Sequence, residues 1–145
     1  MYEFLDWQVR DVMSKPVTVP PETTLAEAEA LLEQRGFDGV PVVDGEGRLA
    51  GVITSLDLLA AFGFDEDSTL PPYVEIMQRP VSRVMSRDVR TVCPRTPLTR
   101  VIDKIIDTRT RSFPVVEDDR VVGVVARADV MSALRRAGLG EVPSP

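Results

Sequence analysis

A chain of 145 residues with 43% apolar and 28% charged side chains has ordinary globular composition and can bury a core of its own. It holds no histidine and one cysteine, Cys93, which excludes Ser-His-Asp and Cys-His catalysis, imidazole or multi-cysteine metal sites and an intrachain disulfide. A formal net charge of −6 argues against a nucleic-acid partner, and no apolar run approaches the roughly 20 residues that span a bilayer, so a reducing, cytoplasmic address is expected.

The mean charge hides a division. Residues 1–72 carry 14 acidic and 4 basic side chains, a net of −10, while 73–145 carry 9 acidic and 13 basic, a net of +4. Of those 13, 12 are arginine, the residue suited to planar, bidentate recognition of phosphate or carboxylate. The division points to self-association or to a small anionic ligand.

The opening MYEFLDWQVRDVM (1–13) has early acidic residues and no apolar core, so it is not a signal peptide. Its apolar residues Tyr2, Phe4, Leu5 and Trp7 would either dock a partner or pack at a seam between copies. Residues 9–13 read as a helical lead-in. A short strand at Thr18-Val19 follows. Thr24-Leu-Ala-Glu27 is a capping box opening a helix with Leu25, Ala28, Leu31 and Leu32 on one face. An apolar strand at 40–43, a turn Asp44-Gly-Glu-Gly47 and a second strand at 49–53 make a hairpin, and a short helix starts near Ser55. Residues 62–78, with Asp65-Glu-Asp67 and Pro71-Pro72, read as a linker.

The pattern then recurs. Val12-Met13-Ser14 returns as Val84-Met85-Ser86, a shift of 72, and Thr18-Val19, Pro21, Thr23, Leu25 and Pro41-Val-Val43 return at a shift of 73. Arg48, Gly51, Val52 and Asp57 match Arg120, Gly123, Val124 and Asp129, again at 72. The second copy has a helical lead-in at 81–85 and a helix with Thr96 as N-cap and Pro97 at its first position. Leu98, Val101, Ile102, Ile105 and Ile106 form its buried stripe. Strands at 113–116 and 121–125 and a helix from Arg127 complete it. Each copy is β-α-β-β-α, an α/β (α+β) unit of about 60 residues that buries one face of a small sheet. Two such units are expected to pack as a pseudo-two-fold pair with clefts between them. The expected boundaries are 1–60 for the first repeat with its lead-in, 61–80 for the linker, 81–137 for the second repeat and 138–145 for a loose tail.

Across residues 9–136 the chain resembles the CBS (cystathionine β-synthase) domain family. The likeness rests on VRDVMS (9–14), GVPVVD (39–44) and GVITSLDLL (51–59), and on their second copies VSRVMS (81–86), SFPVVE (112–117) and GVVARADVM (123–131). It implies a tandem pair (a Bateman module), usually a homodimer, with a regulatory role through AMP, ADP, ATP or S-adenosylmethionine and no enzymatic activity.

In such modules the G-h-h-T-x-x-D junction contacts ribose and phosphate. A strand feeding a helix start offers N–H groups to an anion, a threonine hydroxyl can donate to phosphate, and a carboxylate can accept from ribose hydroxyls. Thr54 and Asp57 fill these roles, although on spacing alone Thr54-Ser-Leu-Asp57 reads first as a helix cap. The resemblance implies a better site of Val52, Thr54 and Asp57 with Val89, Thr110, Arg111, Ser112 and Pro114. Arg111 stands at the phosphate position and Arg127 at the matching helix start. A weaker site would join Val124, Ala126 and Asp129 to Thr18, Phe37, Asp38 and Pro41, because Ala126 lacks the hydroxyl and Asp38 would repel an anion. No phosphate-cradling glycine loop and no calcium loop is present in the sequence.

The leading expectation is a stand-alone, energy-sensing module that binds an adenine nucleotide and signals to a separate effector protein. Beside it stand an interaction scaffold with decayed nucleotide sites and an S-adenosylmethionine sensor. The charge division favours a head-to-tail dimer.

Overall fold

The computed structural model describes residues 2–63 and 72–143. It divides into two compact units, one of Val17–Val89 and one of Met1–Pro16 with Arg90–Pro145. The division cuts across the expected boundaries, which follow the sequence repeat. Each repeat's V-M-S lead-in belongs to the unit that holds the other repeat's hairpin.

In the Val17–Val89 unit, helix α2 (Leu25–Arg35, the next α-helix along the chain after α1, Tyr2–Leu5) starts at Thr24 as the capping box requires. The Thr24 hydroxyl accepts the Glu27 N–H at 3.1 Å and the Glu27 carboxylate accepts the Thr24 N–H at 3.4 Å. Leu25, Ala28 and Leu32 are buried, and Leu31 is half-buried. The helix stops at Gly36, whose φ of 65° suits a residue without Cβ. Strands β1 (Gly39–Val43) and β2 (Leu49–Thr54) pair antiparallel. Their turn is fixed by Asp44, whose carboxylate accepts the N–H groups of Glu46 and Arg48 at 2.8 and 3.0 Å.

Each edge of this hairpin carries a short partner. Val19 pairs parallel with Val42, all that the first expected strand becomes, and Ser86 pairs antiparallel with Val52. The Ser86 and Val52 main chains exchange hydrogen bonds of 2.9 Å both ways. The lead-in forms a single 3-10 turn at Val81–Arg83. Its Val81 N–H reaches the Thr23 carbonyl at 2.7 Å, which ties it to the start of α2. Helix α3 (Ser55–Ala60) leaves β2 directly. Part of the expected linker is structured: α4 (Tyr73–Met77) buries Ile76 and Met77 in the same core as Leu25, Val40 and Ile53. The Phe62 and Tyr73 rings stack at 5.9 Å. The acidic run at 65–67 and Pro71 lie outside the described residues.

The second unit repeats this plan with the first lead-in. Helix α1 (Tyr2–Leu5) and the 3-10 turn Val9–Asp11 bring Phe4, Trp7 and Val9 into a core with Leu98, Val101, Phe113 and Ala133. Phe4 and Trp7 are therefore core residues of one chain, neither a docking surface nor a seam between copies; Leu5 is exposed. The Arg136 guanidinium lies 4.9 Å over the Trp7 ring, a cation–π contact. Val9 N–H donates to the Thr96 carbonyl at 2.9 Å, the counterpart of Val81 with Thr23.

Helix α5 (Leu98–Thr108) corrects the expected cap by one residue. Pro97 is the N-cap, with no side-chain cap, and the Thr96 hydroxyl instead accepts the Cys93 N–H at 3.0 Å. The repeat places Pro97 opposite Thr24, and proline has no oxygen with which to cap. Leu98 and Val101 are buried, Ile102 and Ile105 half-buried, and Ile106 is exposed rather than part of the stripe.

Strands β3 (Ser112–Glu117) and β4 (Arg120–Ala126) pair antiparallel, flanked by Val92 on β3 and Ser14 on β4. Helix α6 (Arg127–Gly138) spans 12 residues against 6 for α3. The tail is tied at least to Glu141, whose carboxylate sits 2.7 Å from Arg136 Nε. The protein is thus mixed helix and strand, with one two-stranded hairpin in each repeat.

Candidate functional site

The strand-to-helix junctions carry the chemistry. At the first, β2 ends at Thr54 in extended conformation and α3 begins at Ser55. Asp57, at the third helical position, folds back on Thr54. Its Oδ2 accepts the Thr54 N–H and the Thr54 hydroxyl, each at 2.9 Å, while Thr54 Oγ1 accepts the Asp57 N–H at 3.1 Å. This is a complete capping box, so the cap reading of Thr54-Ser-Leu-Asp57 is realised. The Thr54 proton is directed at Asp57, not outward. A further residue joins them: Ser86 Oγ donates to Asp57 Oδ1 at 2.9 Å.

Ser86 is absent from the residues expected for the site. Its signal in the sequence is the repeated V-M-S, which marks the repeat and the family likeness but not a contact with Asp57. What places its hydroxyl is the antiparallel bridge to Val52. Gly51 permits that crossing, since a Cβ there would stand 2.7 Å from the Ser86 carbonyl oxygen. Gly123 does the same under Met13 and Ser14, with Met13 Sδ 2.8 Å from where a Cβ would be.

The second junction is simpler. Asp129 accepts the Ala126 N–H at 2.8 Å, and Ala126 brings no hydroxyl. Beside it, the Arg127 main-chain N–H donates to the Arg111 carbonyl at 2.9 Å, as Ser55 N–H does to Asp38 at 3.2 Å. The Arg127 guanidinium turns back on the loop after α5, with Nε donating to the Thr110 carbonyl at 3.2 Å and Nη2 donating to the Arg109 carbonyl. Two of its five N–H donors are thereby committed to the loop. Arg109 sits in the left-handed region at φ 58°, where the first repeat has Gly36.

Within the Val17–Val89 unit Thr54 and Pro41 lie in one hairpin, Asp38 just before its first strand and Asp57 in the helix that follows it, with Thr18 beside Val19 on its edge. Phe37 and Val89 belong to this unit too. Thr110, Arg111, Ser112, Pro114, Val124, Ala126, Arg127 and Asp129 all belong to the other unit, where Ser112 pairs with Ala126 and Pro114 with Val124. Pro41 and Pro114 are buried, whereas Asp38, Arg111 and Arg127 are exposed. Among the described residues no cluster of carboxylates, cysteines or histidines could hold a metal ion, and no helix is long and apolar enough to cross a membrane.

Two hairpin-and-helix repeats, each with an acid one turn into the helix that follows the hairpin, define a tandem module of the CBS type. The CBS domain model matches residues 9–63 and 81–136, and the chain belongs to the CBS-domain family. A candidate acetoin utilization protein (AcuB) from Vibrio cholerae is 31% identical, with a TM-score of 0.78 over 97% of this chain and 100% of that one. CBSX2, crystallised in complex with AMP, is 25% identical with a TM-score of 0.76 over 91% of this chain and 98% of that one. The CBS domain pair of MJ0100, in complex with 5′-methylthioadenosine and S-adenosyl-L-methionine, is 28% identical with a TM-score of 0.70 over 93% and 98%. Enzymes also match. The A-adding tRNA nucleotidyltransferase of Aquifex aeolicus is 30% identical over 92% of this chain, but the chain spans only 15% of that protein's length.

Proposed function

We propose that this CBS pair is a regulatory module that binds an adenine nucleotide or a related adenosyl ligand, with Asp57 as the acceptor for the ribose. The observation that carries the reading is the fixed Asp57 carboxylate, oriented at the strand–helix junction by Thr54 and Ser86. A carboxylate held in this way is already aimed when a sugar hydroxyl arrives. The AMP complex of CBSX2 and the methylthioadenosine and S-adenosylmethionine complex of MJ0100 support the ligand class. Thr54, with its proton committed to Asp57, serves to position that acid. The scaffold reading loses Phe4 and Trp7 as a docking surface, because both are core residues, and keeps only Ala126 and Asp38 in its favour.

Thermal unfolding with AMP, ADP, ATP and S-adenosylmethionine tests the reading. A ligand that binds only the folded state at 100-fold excess over Kd adds about 2.7 kcal/mol of stability. The expected result is a raised midpoint for one of the four, lost in Asp57→Asn. Asparagine keeps an acceptor for the Thr54 N–H, so the ligand-free midpoint should stay near that of the parent. No shift with any of the four ligands would overturn the proposal.

Self-association of unlike units and signalling to a separate effector complete it. The Val17–Val89 unit carries 13 acidic and 5 basic residues, a net of −8, and the other unit 10 acidic and 12 basic, a net of +2. A head-to-tail dimer built on that difference should dissociate as salt rises; sedimentation showing salt-independent association would remove the head-to-tail pairing.

A further inference from the structure

We infer that Ser86 sets the selectivity of the Asp57 site between ribose and 2′-deoxyribose ligands, because its hydroxyl occupies an acceptor position that a ribose diol needs. The inference rests on the nucleotide reading above. A carboxylate offers about four acceptor positions, two on each oxygen. Oδ2 of Asp57 already takes two donors, the N–H and O–H of Thr54, at 2.9 Å each. Among the described residues Oδ1 takes Ser86 Oγ–H at 2.9 Å and no second donor, which leaves one position open. A ribose diol brings two O–H donors, so one existing donor must leave. Releasing the Thr54 N–H would unpair a main-chain donor at the cap of α3, and releasing the half-buried Thr54 hydroxyl would leave it less open to water. Releasing Ser86 is cheaper, since its side chain is exposed and water replaces the lost bond.

The Ser86 hydroxyl therefore stands in for one sugar hydroxyl in the ligand-free protein and is released when a diol binds. A 2′-deoxyribose, with a single hydroxyl at this edge, fits the open position and displaces nothing. The ligand-free protein consequently discriminates less between the two sugars than a bare carboxylate would. The second junction has no such competitor: among the described residues Asp129 takes the Ala126 N–H, and the Ser14 hydroxyl makes no bond to it.

Isothermal titration of the full chain with AMP and with 2′-deoxy-AMP tests this, using the parent, Ser86→Ala, Ser86→Thr and Asp57→Asn. Ser86→Ala should bind AMP about five-fold more tightly, the factor of one ordinary net hydrogen bond, with 2′-deoxy-AMP unchanged. Ser86→Thr, which keeps the hydroxyl, should behave as the parent. The ligand-free unfolding midpoint of Ser86→Ala should match the parent, because the main-chain bridge to Val52 survives the substitution. If Ser86→Ala binds AMP equally or less tightly, or tightens both ligands alike, while Asp57→Asn abolishes AMP binding, the inference is overturned and the nucleotide reading stands. If the parent binds neither AMP nor 2′-deoxy-AMP, the inference is overturned, and the nucleotide reading falls with it only if ADP, ATP and S-adenosylmethionine also leave the unfolding midpoint unchanged.

Discussion

Asp57 illustrates how one side chain can satisfy two descriptions. As a helix cap it closes the start of α3 with Thr54, and as the proposed ribose acceptor it uses what that cap leaves available. Arg109 shows the opposite economy. It holds φ 58° at the end of α5 with a Cβ that the left-handed region disfavours, while its counterpart Gly36 has none. The Arg109 carbonyl accepts from the Arg127 guanidinium, a bond that depends on the backbone and not on the arginine side chain. Arg109→Gly should therefore stabilise the protein by roughly 1 kcal/mol, the usual relief at such a position. Denaturant unfolding checks it, and a lower midpoint would mean that the Arg109 side chain contributes more than its backbone costs.

Among the elements, the lead-ins decide the most. Each enters as one 3-10 turn, attaches to the helix start of the opposite repeat and crosses the hairpin over a glycine. The two crossings differ in what lies over the glycine. Above Gly51 the nearest atom is the Ser86 carbonyl oxygen at 2.7 Å, which is backbone and cannot yield without moving the strand. Above Gly123 the nearest is Met13 Sδ at 2.8 Å, part of a flexible side chain, with the Ser14 carbonyl oxygen at 3.1 Å. Gly51→Ala should cost roughly 1–3 kcal/mol by overpacking, and Gly123→Ala distinctly less. Equal losses in chemical denaturation would show that the methionine has no room to yield.

Over the whole molecule the exchange of lead-ins makes the N-terminus part of a unit built mainly from the C-terminal half. Trp7 is 1% exposed and packs with Leu98, Val101, Phe113 and Ala133. Trp7→Ala should cost roughly 3–5 kcal/mol. In hydrogen exchange the loss of protection should fall first on α5, β3, β4 and α6, not on helix α2 of the Val17–Val89 unit. Loss centred on α2 would contradict the division into units. The same exchange couples the two repeats in folding, because the 81–89 lead-in completes the sheet edge beside which Asp57 sits.

Much of this was legible in the sequence. The doubled P-V-V and G-h-h-T/A-x-x-D segments, the Thr24 capping box and the hairpin turns depend on local chemistry, and they fold as their residues dictate. The two acids Asp57 and Asp129 and the missing hydroxyl at Ala126 could also be read directly, since a repeat displays its own departures. Tertiary structure decided what local chemistry leaves open. A lead-in of six residues has no strong preference of its own, so which hairpin it joins is set by packing: Trp7 and Val9 fill one core, Met77 and Val81 the other. From that pairing follow the burial of Phe4 and Trp7, the ordering of α4 out of a stretch read as linker, and the Ser86 hydroxyl on Asp57 from 29 residues away. Long-range contact, not residue type, supplied the last of these, because nothing in the spacing of Asp57 and Ser86 marks them as neighbours.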